Sequence, residues 1–100
     1  MSAGRIIVID DQPKIRRFMR ATLVGHSYEV IEARTGEDAL ETLPQEMPNL
    51  VLLDMNMPGM GGLATCRAIR KDTDIAIIML TVAIPKRIKW LRSMPEPTIL

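Results

Sequence analysis

Three stretches of this chain are apolar almost without interruption: "RIIVI" (Arg5 to Ile9), "LVLLD" (Leu50 to Asp54) and "IAIIML" (Ile75 to Leu80). A strand with one wet face alternates apolar and polar residues, so runs that do not alternate predict strands covered on both sides. "YEVIEA" (Tyr28 to Ala33) reads as a further strand. Between these runs the period changes. Ile15, Phe18, Met19, Thr22 and Leu23 recur at helical spacing, with Pro13 suited to a first turn and Gly25 to the stop. Thr35 and Asp38 are spaced as a capping box and open a second helix, predicted to end at Pro44 and to bury Ala39, Leu40 and Leu43. "MNMPGMGG" is a loop, and Leu63, Cys66 and Ile69 mark the buried stripe of a third helix. Strands alternating with helices, with both strand faces apolar, predict an α/β fold built on a doubly wound parallel sheet.

One hundred residues allow a single domain. Hydrophobic residues at 47% and charged residues at 25% argue against disorder. A net charge of +1 gives no global attraction for nucleic acid or membrane. The charge is unevenly placed: to Thr81 there are 9 basic and 11 acidic residues, and beyond it Lys86, Arg87, Lys89 and Arg92 face Glu96 alone. Cys66, the lone cysteine, excludes an internal disulfide and reads as a small hydrophobe on a helix. His26 is expected at the surface near a helix end without a partner. With no signal peptide at the start and no apolar run long enough to span a bilayer, a cytoplasmic protein with no membrane contact is expected.

A doubly wound sheet places ligand chemistry at the carboxyl ends of its strands. Asp10 and Asp11 follow the first strand, Asp54 ends the third and Thr81 follows the fourth. Like charges a few ångströms apart near a surface repel by about 4 kcal/mol at an effective dielectric near 20. Such a cluster must hold an extra proton or bind a cation. Mg2+ suits it, accepting one or two carboxylates while keeping waters that a phosphate oxygen can replace. A carboxylate nucleophile beside that ion can attack phosphorus, and the Thr81 hydroxyl can then donate to a phosphoryl oxygen. Taken singly, Asp11 reads as a helix N-cap, Asp10 as a solvated loop residue and Asp54 as a turn cap. Their convergence on one rim favours a site.

"IIVIDDQPKIRRFM", "LVLLDMNMPGMGG" and "IIMLT" together resemble the receiver domain of two-component response regulators, the CheY-like family with a flavodoxin-like fold. The resemblance covers residues 5 to 81 without a gap. It implies a sheet ordered 2-1-3-4, with Asp54 as the phosphoacceptor and a sensor histidine kinase as donor. It further implies Mg2+ held by Asp10, Asp11, Asp54 and the backbone carbonyl of Asn56, with Thr81 as the switch hydroxyl and Pro58 and Gly59 forming the turn of the acceptor loop.

After Thr81 the likeness stops. The family continues with a fourth helix, a fifth strand ending in lysine and proline, and a fifth helix, whereas Lys86 and Lys89 come too soon to match that lysine. Permitted codons for residues 83 to 100, read two bases later, can spell "NTEKDKVVALDAGADD", which resembles the family's fourth helix and the approach to its fifth strand. A frameshift just after Val82, followed by an early stop, is therefore expected. It divides the chain into an incomplete receiver domain, residues 1–82, and a non-family tail, residues 83–100.

Without a fifth strand, "IAIIML" becomes an apolar edge that invites pairing, and a homodimer through it is expected, or a tail folded back over the gap. Ile84, Ile88 and Leu91 have the spacing of a short helix, and four basic residues with Trp90 are weak grounds for nucleic-acid binding, so none is expected. Three functions compete. The first is a phospho-accepting receiver, not an enzyme, with switching impaired by loss of the lysine. The second is a degenerate receiver that only dimerises. The third, a magnesium-dependent aspartyl-phosphate hydrolase, needs an acid-base residue beside the nucleophile, and "LLDMNMPG" offers none.

Overall fold

The computed structural model describes residues 2–80; Thr81, the expected boundary at Val82 and the tail lie outside them. Four strands and three helices alternate: β1 (Gly4–Ile9), α1 (Pro13–Val24), β2 (Tyr28–Ala33), α2 (Gly36–Glu46), β3 (Leu50–Asp54), α3 (Gly61–Asp72) and β4 (Ala76–Leu80). All pairings are parallel and the order is β2-β1-β3-β4, the flavodoxin-like order expected, with no fifth strand among the described residues.

The uninterrupted apolar runs are explained by their two faces. Ile7, Ile9, Val51 and Leu53 point to the side covered by Ala39 of α2 and Ile69 of α3. Ile6, Val8, Leu52 and Leu80 point to the other, where Met19 and Leu23 of α1 pack. The buried stretches Ile6–Ile9 of β1 and Val51–Leu53 of β3 thus meet apolar surface whichever way their side chains turn and have no place for a polar residue until the strands end.

The helices depart from the sequence pattern in three places. Phe18 and Thr22, expected in the α1 stripe, are exposed, Phe18 by 67%, and α1 packs on the core through Met19 and Leu23. Leu63, expected in the α3 stripe, is 55% exposed, and the buried face is Gly62, Thr65 and Ile69. Pro44 does not end α2; the helix runs on to Glu46 and closes with Met47 in the left-handed region, its amide bonded to the Leu43 carbonyl at 2.9 Å. Proline in a last turn forfeits one bond, and the left-handed cap recovers an orphan carbonyl. At the other end of α2, the Asp38 amide donates to Thr35 Oγ1 at 3.0 Å, one half of the expected capping box.

Cys66 is half-buried against the α2/α3 core. His26 is exposed as expected, yet it has a partner: Nδ1 lies 2.9 Å from the Thr22 carbonyl oxygen in the last turn of α1. No helix among the described residues is long and apolar enough to cross a membrane.

Candidate phosphoacceptor site

Parallel pairing brings the ends of β1 and β3 to the same height, Ile9 beside Leu53, so Asp10 and Asp54 leave adjacent strands together. Asp11 follows in the turn to α1. One carboxylate oxygen from each of the three lies within 4.8 Å of the others, and the group is largely enclosed: Asp10 is 3% and Asp54 7% exposed. Burial pushes the Asp10 carboxyl above its ordinary pKa, with the Asp54 and Asp11 charges adding to the rise and the Gln12 amide and Arg16 opposing it. Asp54 is raised likewise, by burial first and by Asp11 second, against the lowering effect of the Asn56 amide.

The plainer readings of these residues are met in part. Asp10 Oδ1 accepts from the Gln12 amide at 2.9 Å and Asp54 Oδ1 from the Asn56 amide at 3.1 Å, so both cap turns. Asp10 is nevertheless no solvated loop residue, and Asp11 is no N-cap. The N-cap position of α1 falls to Gln12, and Asp11 Oδ1 is buried with no hydrogen-bond partner among the described residues. A buried carboxylate oxygen without a donor is costly unless a cation fills its coordination. That oxygen, together with one carboxylate oxygen each from Asp10 and Asp54, is a donor set for a hard divalent ion, and the residues therefore fit Mg2+.

The acceptor loop is held from below. Met57 is buried in the α2/α3 core, anchoring the turn that carries Asn56. Gly59, at φ +78°, makes the turn after Pro58. Gly62 allows α3 to start against the strand it follows: a Cβ there would sit 2.4 Å from the Asp54 carbonyl oxygen. On the other side, the Met55 amide donates to the Leu80 carbonyl at 3.2 Å, and Leu80 is the register partner of Asp54. Thr81, the residue after Leu80, lies outside the described residues.

Sequence reasoning missed the groups that hold Asp10. Arg16 Nη1 donates to the Asp10 carbonyl at 2.8 Å while its Nε donates to Glu32 Oε1 at 3.1 Å. Arg20 Nε takes the other Glu32 oxygen at 2.6 Å. A signal existed in the chain: Arg16 and Arg20 are like charges four apart on one helix, an unfavourable pair unless an acid bridges them.

The chain matches the response regulator receiver domain over residues 6–91. It belongs to that family. Among curated relatives of this receiver, the probable transcriptional regulator ycf27 of Porphyridium aerugineum is 46% identical over 81 residues, covering 81% of this chain and 34% of that protein. The DNA-binding response regulator MtrA of Mycolicibacterium smegmatis is 38% identical over 77 residues, covering 77% and 34%. The receiver thus spans about a third of the length of the curated relatives it matches. Among solved structures, the N-terminal domain of a response regulator receiver protein from Methanoculleus marisnigri superposes with a TM-score of 0.79 at 37% identity, covering 86% of this chain and 72% of that one. TrrA from Thermotoga maritima, solved with Mg2+ and BeF, superposes with a TM-score of 0.75 at 38% identity, covering 93% and 76%. Phosphorylated aspartate and Mg2+ at an acidic pocket are typical of receivers, which are signalling modules that interact with histidine kinases.

Proposed function

We propose that this receiver accepts a phosphoryl group on Asp54 from a sensor histidine kinase, with Mg2+ held by Asp10, Asp11, Asp54 and the backbone carbonyl of Asn56. The observation that carries the reading is the buried Asp11 Oδ1, without a partner among the described residues, inside a cluster of carboxylate oxygens at the end of two adjoining strands. Asp54 Oδ1 is engaged by the Asn56 amide, which leaves Oδ2 as the attacking atom. An Asp54 oxygen bonds to phosphorus, the bond from phosphorus to the donor imidazole nitrogen breaks, and that nitrogen keeps the electron pair. Held by these residues, Mg2+ would supply positive charge to neutralise the group in transfer. Asp10 and Asp11 hold the negative field that recruits it, and the Thr81 hydroxyl is assigned to a phosphoryl oxygen.

A small phosphodonor such as acetyl phosphate, with Mg2+, is expected to add one phosphoryl group by intact-mass spectrometry. The adduct should disappear in Asp54→Asn and on chelation of Mg2+. An adduct that survives Asp54→Asn moves the acceptor elsewhere.

Two finer readings accompany it. The first concerns residues 83–100: the offset frame supports a non-family tail there, in place of the family's fourth helix. The family match itself runs on to residue 91. Coding nucleotides that do not permit the offset reading rule the frameshift out. The second is association of two copies through β4, supported by that strand having a strand neighbour on one side only among the described residues. Light scattering is expected to return a dimer mass, and a monomer at all concentrations excludes it.

A further inference from the structure

The Asp10–Asp11 peptide is the hinge on which two of the three carboxylates turn, and its fixation comes from outside the cluster. The Asp10 amide, in the preceding Ile9–Asp10 peptide, donates to the Ala33 carbonyl of β2 at 3.1 Å, and the Asp10 carbonyl, the oxygen of the Asp10–Asp11 peptide itself, accepts from Arg16 Nη1 at 2.8 Å. The same guanidinium is tied by Nε to Glu32, so its plane cannot rotate away from Asp10 without breaking that second bond. The Arg16 side chain is only 11% exposed, well inside the crevice between α1 and the end of β2. Glu32 is locked in turn by Arg20, which also donates to the Val30 carbonyl at 3.2 Å.

From this we infer that Arg16 is a positioning residue for the cation site, a fork that pins the Asp10–Asp11 peptide plane between Glu32 and the carboxylate cluster so that Asp11 Oδ1 faces the cation. The inference rests on the receiver reading above. Its chemistry has an unusual sign. Arg16 is a positive charge close to a site for a positive ion, so by Coulomb's law alone its removal tightens Mg2+ binding. A positioning role makes the same removal weaken it, because an unpinned peptide lets the Asp11 carboxylate turn to water. The fork matters as well as the charge: lysine at this position keeps the cation but offers a point charge with no plane to hold both partners.

The test is Mg2+ affinity, measured by calorimetry on the unphosphorylated protein at a temperature where the variants are folded. Arg16→Met is expected to weaken Mg2+ about tenfold, in the range seen for residues that orient metal ligands, and Arg16→Lys by at least about threefold. Glu32→Gln, which loosens the fork from its far side, should weaken it by about threefold. Arg17→Met removes an exposed positive charge from the neighbouring position of α1, outside the Glu32 fork, and should leave affinity within about twofold of the unaltered protein. That control separates positioning by Arg16 from the mere loss of a positive charge on α1. Tighter binding by Arg16→Met, or unaltered binding by Arg16→Lys, overturns the inference. If Arg16→Met does not fold, Arg16→Lys and Glu32→Gln decide it. Failure of the unaltered protein to bind Mg2+ at all overturns the receiver reading itself, an outcome distinct from equal binding by all variants.

Discussion

The two ends of the sheet are built on opposite terms. At the amino end the polar groups of the backbone are matched: Asn49 Oδ1 accepts from the Arg5 amide at 2.8 Å, the Asn49 amide donates to the Arg5 carbonyl at 2.7 Å, and Arg5 Nη1 reaches the Glu46 carbonyl at 2.7 Å. At the same end Leu40, Leu43, Pro48, Ile69 and Ile75 line a cleft of about 390 Å3 in which Asp72 is the one carboxylate among the lining residues. At the carboxyl end, two carboxylates are buried, both with raised pKa, and a third has an oxygen with no partner. Stability is made at the first end and diminished at the second. The contrast teaches where function sits in such a sheet: at the end whose polar groups are left unsatisfied by the chain itself.

Substitutions at the two ends should therefore act on different observables. Ile69, 1% exposed between the cleft and the core of the α2/α3 face, belongs wholly to the stable end. Ile69→Ala is expected to cost about 2–5 kcal/mol in denaturant unfolding, with Mg2+ affinity unaltered in the folded fraction. A large loss of affinity with little loss of stability breaks the division between the ends. Gly62→Ala should cut across it. Its added Cβ meets the Asp54 carbonyl oxygen at 2.4 Å and Met55 Cα at 2.6 Å, so the start of α3 must move off the acceptor strand. About 1–3 kcal/mol of stability and a measurable part of the phosphorylation rate should be lost together.

What the sequence disclosed follows the same geometry. Strands buried on two faces leave no choice of period, so β1 and β3 were legible almost to the residue, and with them the aspartates at their ends. Helix faces were less so. A helical stripe has margins, and whether Phe18 or Leu63 falls inside it depends on how wide a surface the sheet offers, which no local pattern states. The Arg16 fork was hidden for a stronger reason. It joins α1 to the last turn-ward residues of β2 and acts on a backbone carbonyl, a group every residue has and no sequence motif marks. Asp11 illustrates the reverse: its residue type and place were readable, but only the enclosed site shows that one oxygen lacks a partner.

The smallest expected effect tests the destabilised end directly. Asp54 is raised above the 3.8 of a free aspartate, chiefly by burial, so the folded state holds its proton more tightly than the unfolded chain does. For such a group, stability is greatest below the free value and falls as pH rises to the raised folded value, above which the whole penalty is present. Asp54→Asn removes that penalty, keeps an oxygen to accept from the Asn56 amide, and offers its own N–H groups to the Asp10 and Asp11 carboxylates. Without Mg2+ at neutral pH the variant should be more stable than the unaltered protein by about 1 kcal/mol. The gain should shrink on acidification toward pH 4, where Glu32, lowered by its bond to Arg20, moves both proteins alike. Saturating Mg2+ should reverse the order, because the ion stabilises the folded state that binds it more tightly. A variant no more stable than the unaltered protein in chelator, across that pH range, means the carboxyl end carries no penalty and the contrast between the two ends fails.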